Sequence, residues 1–273
     1  MSGEKPVGRR SLVGRREFIV GGAAVLIAGC TSGGGSDTSG STATSRPARR
    51  ATPRSTPTTL PAGACLLSPE VTAGPYYIER PLARADITEG RPGTPFRFRV
   101  RVLDAKACAP LAGAAVDVWH CDAGGEYSGW NGNSLEETGR EGRNAERYLR
   151  GVQLTGDDGI AEFTTIFPGW YEGRTVHIHL KVHEGGTIGR TYDGGHVAHV
   201  GQAFFDEDVT AEILRAGPYA KFGHPRTKND QDSLYAKAGP GALTEMTARG
   251  RGYSGLFTCA VDPEASPPPG PMF

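Results

Sequence analysis

The sequence predicts an all-β protein: an antiparallel β-sandwich with long loops and one or two short helices. Three observations carry this expectation. Phe96-Arg97-Phe98-Arg99-Val100-Arg101-Val102 alternates apolar and charged side chains without a break, the period of two that marks a strand with one buried face. Forty Gly and twenty Pro punctuate the 273 residues, which disfavours a helical bundle. Short apolar runs are separated by turn residues rather than by helices, which favours antiparallel over parallel pairing.

The first thirty residues read as an address. A basic start with Arg15-Arg16-Glu17-Phe18-Ile19 leads into an apolar run ending near Ala28. That run is far shorter than the ~20 residues a membrane span needs and fits a signal h-region. The twin Arg resembles a twin-arginine export signal. Ile27-Ala28-Gly29-Cys30 resembles a bacterial lipobox, in which Cys30 is lipidated and becomes the mature N-terminus. Residues 31–62 follow as a tether: 22 of the 32 are Gly, Ser, Thr or Pro, too few apolar groups to offset ordering entropy. The expected location is outside the cytoplasm, at the outer face of the bacterial cell membrane, anchored through lipid on Cys30.

Residues 63–273 are the expected folded domain. After the strand at Phe96–Val102, Ala114–Trp119 reads as a second strand. Ile160–Ile166 is a third, introduced by Asp157-Asp158-Gly159. Val176–Val182 is a fourth and Val200–Phe205 a fifth. One helix is expected with Asp208 as N-cap, Val209 and Ile213 on one face, and Gly217 as terminator. Residues 124–150 and 183–199 read as long Gly- and charge-rich loops, of a size that often carries function. Four cysteines remain after Cys30: Cys65, Cys108, Cys121 and Cys259. An even number in an exported domain predicts two disulfides, with three pairings open.

Charge excludes one class of partner. Residues 1–62 carry nine basic and three acidic side chains, and residues 63–273 carry 21 and 27. A domain of net charge −6 lacks the basic surface that nucleic acid requires.

The chemistry concentrates around His177-Ile178-His179. Residues i and i+2 of a strand point to the same side, ~7 Å apart. Both imidazoles therefore face one way, while Val176, Ile178, Leu180 and Val182 face the core. Two neutral imidazoles so placed can share a metal ion, although the same pattern also suits the solvent side of an edge strand. Upstream stand Phe167-Pro168-Gly169-Trp170-Tyr171-Glu172-Gly173-Arg174, then Asp117-Val118-Trp119 running into Gly125-Glu126-Tyr127, and Thr72-Ala73-Gly74-Pro75-Tyr76-Tyr77.

Over residues 65–205 these segments resemble the intradiol ring-cleavage dioxygenases, the family of protocatechuate 3,4-dioxygenase and the catechol 1,2-dioxygenases. The resemblance implies a non-haem Fe(III) site with Tyr127, Tyr171, His177 and His179 as ligands. It implies a catechol-type substrate, O2 as the second substrate, and a muconate-type diacid as product. Arg174 matches an Arg three residues before the first His and Gln202 a Gln beyond the His strand; with Tyr171, which can take up a substrate proton, they are the implied catalytic residues. Tyr76, Tyr77 and Trp130 are the implied substrate wall. Two anionic phenolates favour Fe(III) over Fe(II), unlike a two-His-one-carboxylate set. The Tyr171–His177 spacing is shorter than in cytoplasmic members and similar to secreted ones. Two other functions compete: a membrane-tethered sandwich that binds an aromatic or a glycan without catalysis, and a zinc hydrolase on His177 and His179. The second lacks a third His or carboxylate at a convincing spacing. No role is expected for residues 220–273.

Overall fold

The computed structural model describes residues 65–131 and 144–268. The signal (1–30), the tether (31–62), Cys30 and the middle of the 124–150 loop lie outside the described residues. Two sheets face each other. One contains β1 (Pro95–Asp104), β2 (Ala109–Pro110), β5 (Ile160–Ile166), β8 (Glu245–Arg249) and β9 (Gly252–Val261). The other runs in the order β4 (Arg150–Leu154), β3 (Ala115–Trp119), β6 (His177–Ile188), β7 (Tyr192–Phe204). Two short helices, α1 (Glu207–Leu214) and α2 (Ser233–Ala238), follow β7.

The alternation in β1 does what its pattern predicts. Phe96, Phe98, Val100 and Val102 are buried, while Arg97, Arg99 and Arg101 remain partly open to solvent. They meet Phe163 of the same sheet and Val116, Val118, Ile178, Leu180 and Val182 of the other in one cluster. Each such side chain contributes about 2 kcal/mol by leaving water.

Several expectations need correction. β1 pairs β5 antiparallel but β9 in parallel, from Phe96↔Tyr253 to Asp104↔Val261. The sandwich is therefore mostly, not wholly, antiparallel. Residues 183–199 are no loop: β6 runs on to Ile188 and turns directly into β7. The glycines there made the segment read as a loop, but they serve the hairpin. Gly186 pairs Gly194, and a Cβ on Gly186 would lie 2.3 Å from the Tyr192 ring, whose hydroxyl accepts from the Gly186 amide. The cap of α1 is Asp206, which accepts from the amides of Asp208 and Val209; Asp208 sits in the first turn. The helix closes at Arg215, before Gly217.

One disulfide forms, Cys65–Cys108. Cys121 and Cys259 are buried free thiols. They cannot pair because Cys121 packs among the aromatics beside Tyr127, whereas Cys259 belongs to β9 and the main core.

Candidate metal centre

β6 places His177 and His179 on the face of its sheet opposite Ile178 and Leu180, both imidazoles almost completely buried. The Nδ1 of His177 lies 2.6 Å from the Thr175 carbonyl. A carbonyl only accepts, so that nitrogen carries the proton and Nε2 keeps its lone pair. Around this Nε2 stand His179 Nε2 at 3.0 Å, the Tyr171 hydroxyl at 3.3 Å and the Tyr127 hydroxyl at 3.4 Å. Four donor atoms from three chain segments thus converge on one point.

Two glycines allow the tyrosine-bearing loops to meet. Gly125 has φ +81°, and a Cβ there would lie 2.2 Å from the Trp170 carbonyl oxygen. A Cβ on Gly169 would lie 2.4 Å from the Asp122 carbonyl oxygen, which accepts from the Gly169 amide. Asp122 also accepts through its carboxylate from the amides of Gly124 and Glu126 and pairs with Arg91. Tyr127 and Tyr171 are therefore held by one stitched pair of loops. From the N-terminal side, Gly74 (φ +67°) brings the 72–76 segment against His179, a virtual Cβ being 3.2 Å from its ring.

The environment sets the charge states. Burial, reinforced by Arg174, pushes the His177 pKa down to about 3. Burial, then His177 and Arg174, holds His179 well below the usual histidine range. Both imidazoles are neutral with lone pairs free to bind. Burial pushes the Tyr171 phenol up to about 12, partly opposed by Arg174, and keeps Tyr127 well above its usual range, with Tyr171 adding to the effect. Two buried phenols keep their protons unless a cation replaces them, and direct coordination does so at neutral pH. Two neutral imidazoles and two displaceable phenol protons suit a trivalent cation that prefers oxygen. Among the described residues no group of three or more His, Cys, Asp or Glu could hold a metal. A hydrolytic zinc site thus lacks its third ligand.

Arg174 reaches the centre from its rim. Its Nη1 is 3.5 Å from the Tyr171 oxygen, its Nη2 donates to Gln202 Oε1 at 2.5 Å, and its Nε donates to Asp232 at 2.9 Å. Gln202 in turn donates to the Thr72 carbonyl at 2.8 Å. Asp232 also accepts from the Thr175 amide and caps α2. The segment after residue 220, for which no role was expected, therefore supplies the carboxylate that holds Arg174. Nothing in its sequence marks Asp232 out except its place as a helix cap.

The aromatic wall divides. Tyr76 stacks on Tyr127 at 4.3 Å and meets Trp130 edge-on at 5.4 Å. Tyr77 packs instead on Trp119 at 4.9 Å, and Trp119 stacks on His179 at 5.1 Å. Arg150 is a further residue that the sequence did not single out. It is buried, donates to the Ser128 carbonyl and hydroxyl, and lies 5.8 Å from the Tyr127 ring. His120, expected at the interior or the pocket edge, is buried between the Cys121 carbonyl and the Thr165 hydroxyl.

A dioxygenase family model matches residues 72–188, a span that includes Tyr127, Tyr171, Arg174, His177 and His179. An intradiol ring-cleavage dioxygenase from Tetranychus urticae is 34% identical, with a TM-score of 0.66, over 74% of this chain and 98% of that one. A second dioxygenase crystal structure is also 34% identical, with a TM-score of 0.67, over 75% and 98%. The dioxygenase domain of a dioxygenase–carbohydrate-binding fusion from Streptomyces sp. SirexAA-E is 30% identical over 72% and 98%, with a TM-score of 0.49. No curated protein sequence matches.

Proposed function

This chain belongs to the intradiol ring-cleavage dioxygenase family, and on that premise we propose that it cleaves a catechol-type ring between its two hydroxyl-bearing carbons with a ferric ion held by Tyr127, Tyr171, His177 and His179. The observation that carries this reading is the approach of three donor atoms to within 3.0–3.4 Å of His177 Nε2. When bound, Fe(III) supplies the Lewis acidity that gathers both catechol oxygens and draws electron density out of the ring.

The protein's own groups do the rest. Tyr171 takes a substrate proton on its phenol oxygen, which lies beside Arg174. Arg174 stabilises negative charge as it develops on substrate oxygens, a fixed cation in a site that excludes water. Gln202 and Asp232 fix the plane of that guanidinium. Tyr76 and Trp130 wall the ring on the Tyr127 side. Both atoms of O2 end in the two carboxyl groups of a muconate-type diacid.

The same proposal places the enzyme outside the cytoplasm, tethered through lipid on Cys30. Its support is the order of twin Arg, apolar run and small-small-Cys, together with the Cys65–Cys108 disulfide, a bond typical of oxidising compartments.

The test is product identity under heavy-isotope O2, with catechol as substrate and the visible spectrum and iron content recorded on the same sample. The expected result is a colourless ring-cleaved diacid with label in its carboxyl groups, from a protein coloured by tyrosinate-bound iron. A yellow semialdehyde, or no O2 consumed with any catechol, overturns the proposal; the second result favours the non-catalytic binding sandwich.

A further inference from the structure

The face of the sheet that carries the donors continues past them. Asp117 lies two residues before Trp119 on β3, and Lys181 and His183 follow His179 on β6. Asp117 pairs Lys181, and Trp119 pairs His179. The period of two puts Asp117, Trp119, His179, Lys181 and His183 on one side. None of Asp117, Lys181 and His183 has a part in the ring cleavage derived above. All are costly to bury without purpose.

Tyr77 connects this group to the centre. Its ring packs on Trp119 at 4.9 Å, and the Trp119 ring lies parallel to that of His179 at 5.1 Å, 4° between planes. Its hydroxyl donates to Asp117. The Oδ2 of Asp117 stands 3.9 Å from His183 Nε2, and neither atom has a hydrogen-bond partner. Tyr77 also lines a cleft of about 270 Å³ with Glu79, Lys181, His183 and Asp193. The order from the centre outward is thus imidazole, indole, phenol, cleft. Indole and phenol are the two side chains that most readily give up one electron.

We propose that Trp119 and Tyr77 form a one-electron relay that returns a reduced metal at His179 to its ferric state, passing the electron to an acceptor in the cleft while Asp117 holds the tyrosine proton. The inference rests on the ferric reading above. Catechols are reducing agents, so a ferric centre that binds them needs a route back from the ferrous state. The acceptor is a soluble one-electron oxidant, such as a quinone.

The steps balance. Tyr77 gives one electron to the acceptor and its hydroxyl proton to the Asp117 carboxylate, leaving a neutral tyrosyl radical and a carboxylic acid. One electron then passes from the ferrous ion through Trp119 to Tyr77, and Asp117 returns the proton. The metal has lost one electron, the acceptor has gained one, and the protein has neither gained nor lost a proton. Lys181 makes the proton step obligatory. Its Nζ lies 3.3 Å from the centre of the Tyr77 ring, where it opposes any positive charge on that ring. The electron can leave only if the proton leaves with it. Trp119 carries charge alone, because its Nε1 has no partner to take a proton. Burial raises the pKa of Asp117, which makes its carboxylate a better proton acceptor than a surface one.

The test uses the full chain loaded with iron, reduced with dithionite and mixed with ferricyanide, while the visible tyrosinate band returns. Tyr77→Phe keeps the ring and removes the hydroxyl; Asp117→Asn keeps the shape and removes the proton acceptor. Each is expected to slow the return of the band by about tenfold or more, while Val197→Ala, a neutral change in the same cleft, leaves it unchanged. Equal rates in wild type, Tyr77→Phe and Asp117→Asn overturn the relay. A second measurement needs no metal: photo-oxidation of the same chain by a ruthenium polypyridyl complex, with the tyrosyl radical read by electron paramagnetic resonance. The radical yield is expected to fall in both variants. A fall there without any visible band in wild type sinks the ferric reading and keeps the relay; an unchanged yield in both variants sinks the relay.

Discussion

Arg174 and Asp232, 58 residues apart, are joined by a hydrogen-bonded ion pair of 2.9 Å with the carboxylate buried to 1% side-chain exposure. The same carboxylate accepts from the Thr175 amide, one residue along from the guanidinium it holds. Arg174→Ala is expected to keep iron and colour but lose turnover by about a hundredfold or more, the scale of removing a charge-stabilising donor. Asp232→Ala should also destabilise the fold by roughly 3 kcal/mol, because it leaves a buried guanidinium unpaired and α2 uncapped. Thermal unfolding and steady-state rates on the two variants separate these effects. Loss of iron from Arg174→Ala would show that the Arg acts on the ligands instead.

The paired replacement His177→Ala, His179→Ala removes both nitrogen donors from the convergence point. Bound iron, measured by elemental analysis, is expected to fall to below about a tenth of wild type, since even second-shell losses cost ten- to a hundredfold in affinity. Full occupancy in the double variant would reject the ligand assignment.

Gly125→Ala places a Cβ where the Trp170 carbonyl oxygen already lies, in a backbone region that costs an L-residue about 1–2 kcal/mol. The Tyr127 loop must then move away from the Tyr171 loop. The expected outcome is weaker iron binding and a shifted tyrosinate band, with less change in overall stability than a core cavity produces. An unaltered spectrum would mean that the two loops are not coupled.

Replacing Cys65 and Cys108 by Ser opens a loop of sequence separation 43. In the chain-entropy account this lowers stability by up to about 4 kcal/mol. Denaturant midpoints of the variant and the reduced wild type should agree. If reduction leaves the midpoint unmoved, the bond is not formed in the purified protein.

Cys30→Ser is expected to release the enzyme from the membrane fraction into the soluble one, with the activity of residues 63–273 retained. Fractionation followed by immunoblotting reads this directly. Membrane retention of Cys30→Ser would assign the anchor elsewhere.

Much of this site was legible because its signals are local. His177 and His179 share a strand, and their side follows from a period of two. Tyr127 and Tyr171 come from short turns whose glycines are visible in the sequence. Alternation in β1 and β5 was equally plain, and both strands lie where the pattern puts them. What escaped was set by distant contacts. β9 reads weakly because Gly252 and Gly255 interrupt it, yet Gly255 is required there, since a Cβ would lie 2.6 Å from Phe96. The β6–β7 hairpin hides behind four glycines that its own Tyr192 covers. Asp232 and Arg150 owe their roles to partners 58 and 22 residues away, and no local pattern announces such a partner. Cysteine parity was misleading because a buried thiol in a tight core behaves as a small apolar group.

The parallel pairing of β1 with β9 bears on how the enzyme is made. β9 lies between β1 and β8 in its sheet, so a central strand is supplied by residues 252–261. A ribosome that has finished β1 through β7 has produced a sheet with its middle missing, and the aromatic face of β1 stays uncovered until Val261 emerges. Such late, long-range closure is slow and leaves the nascent chain dependent on protection from aggregation. Passage across the membrane would therefore have to wait for synthesis to be essentially complete, if the domain is to travel folded. A truncation before residue 252 should yield insoluble chain rather than a weakened enzyme.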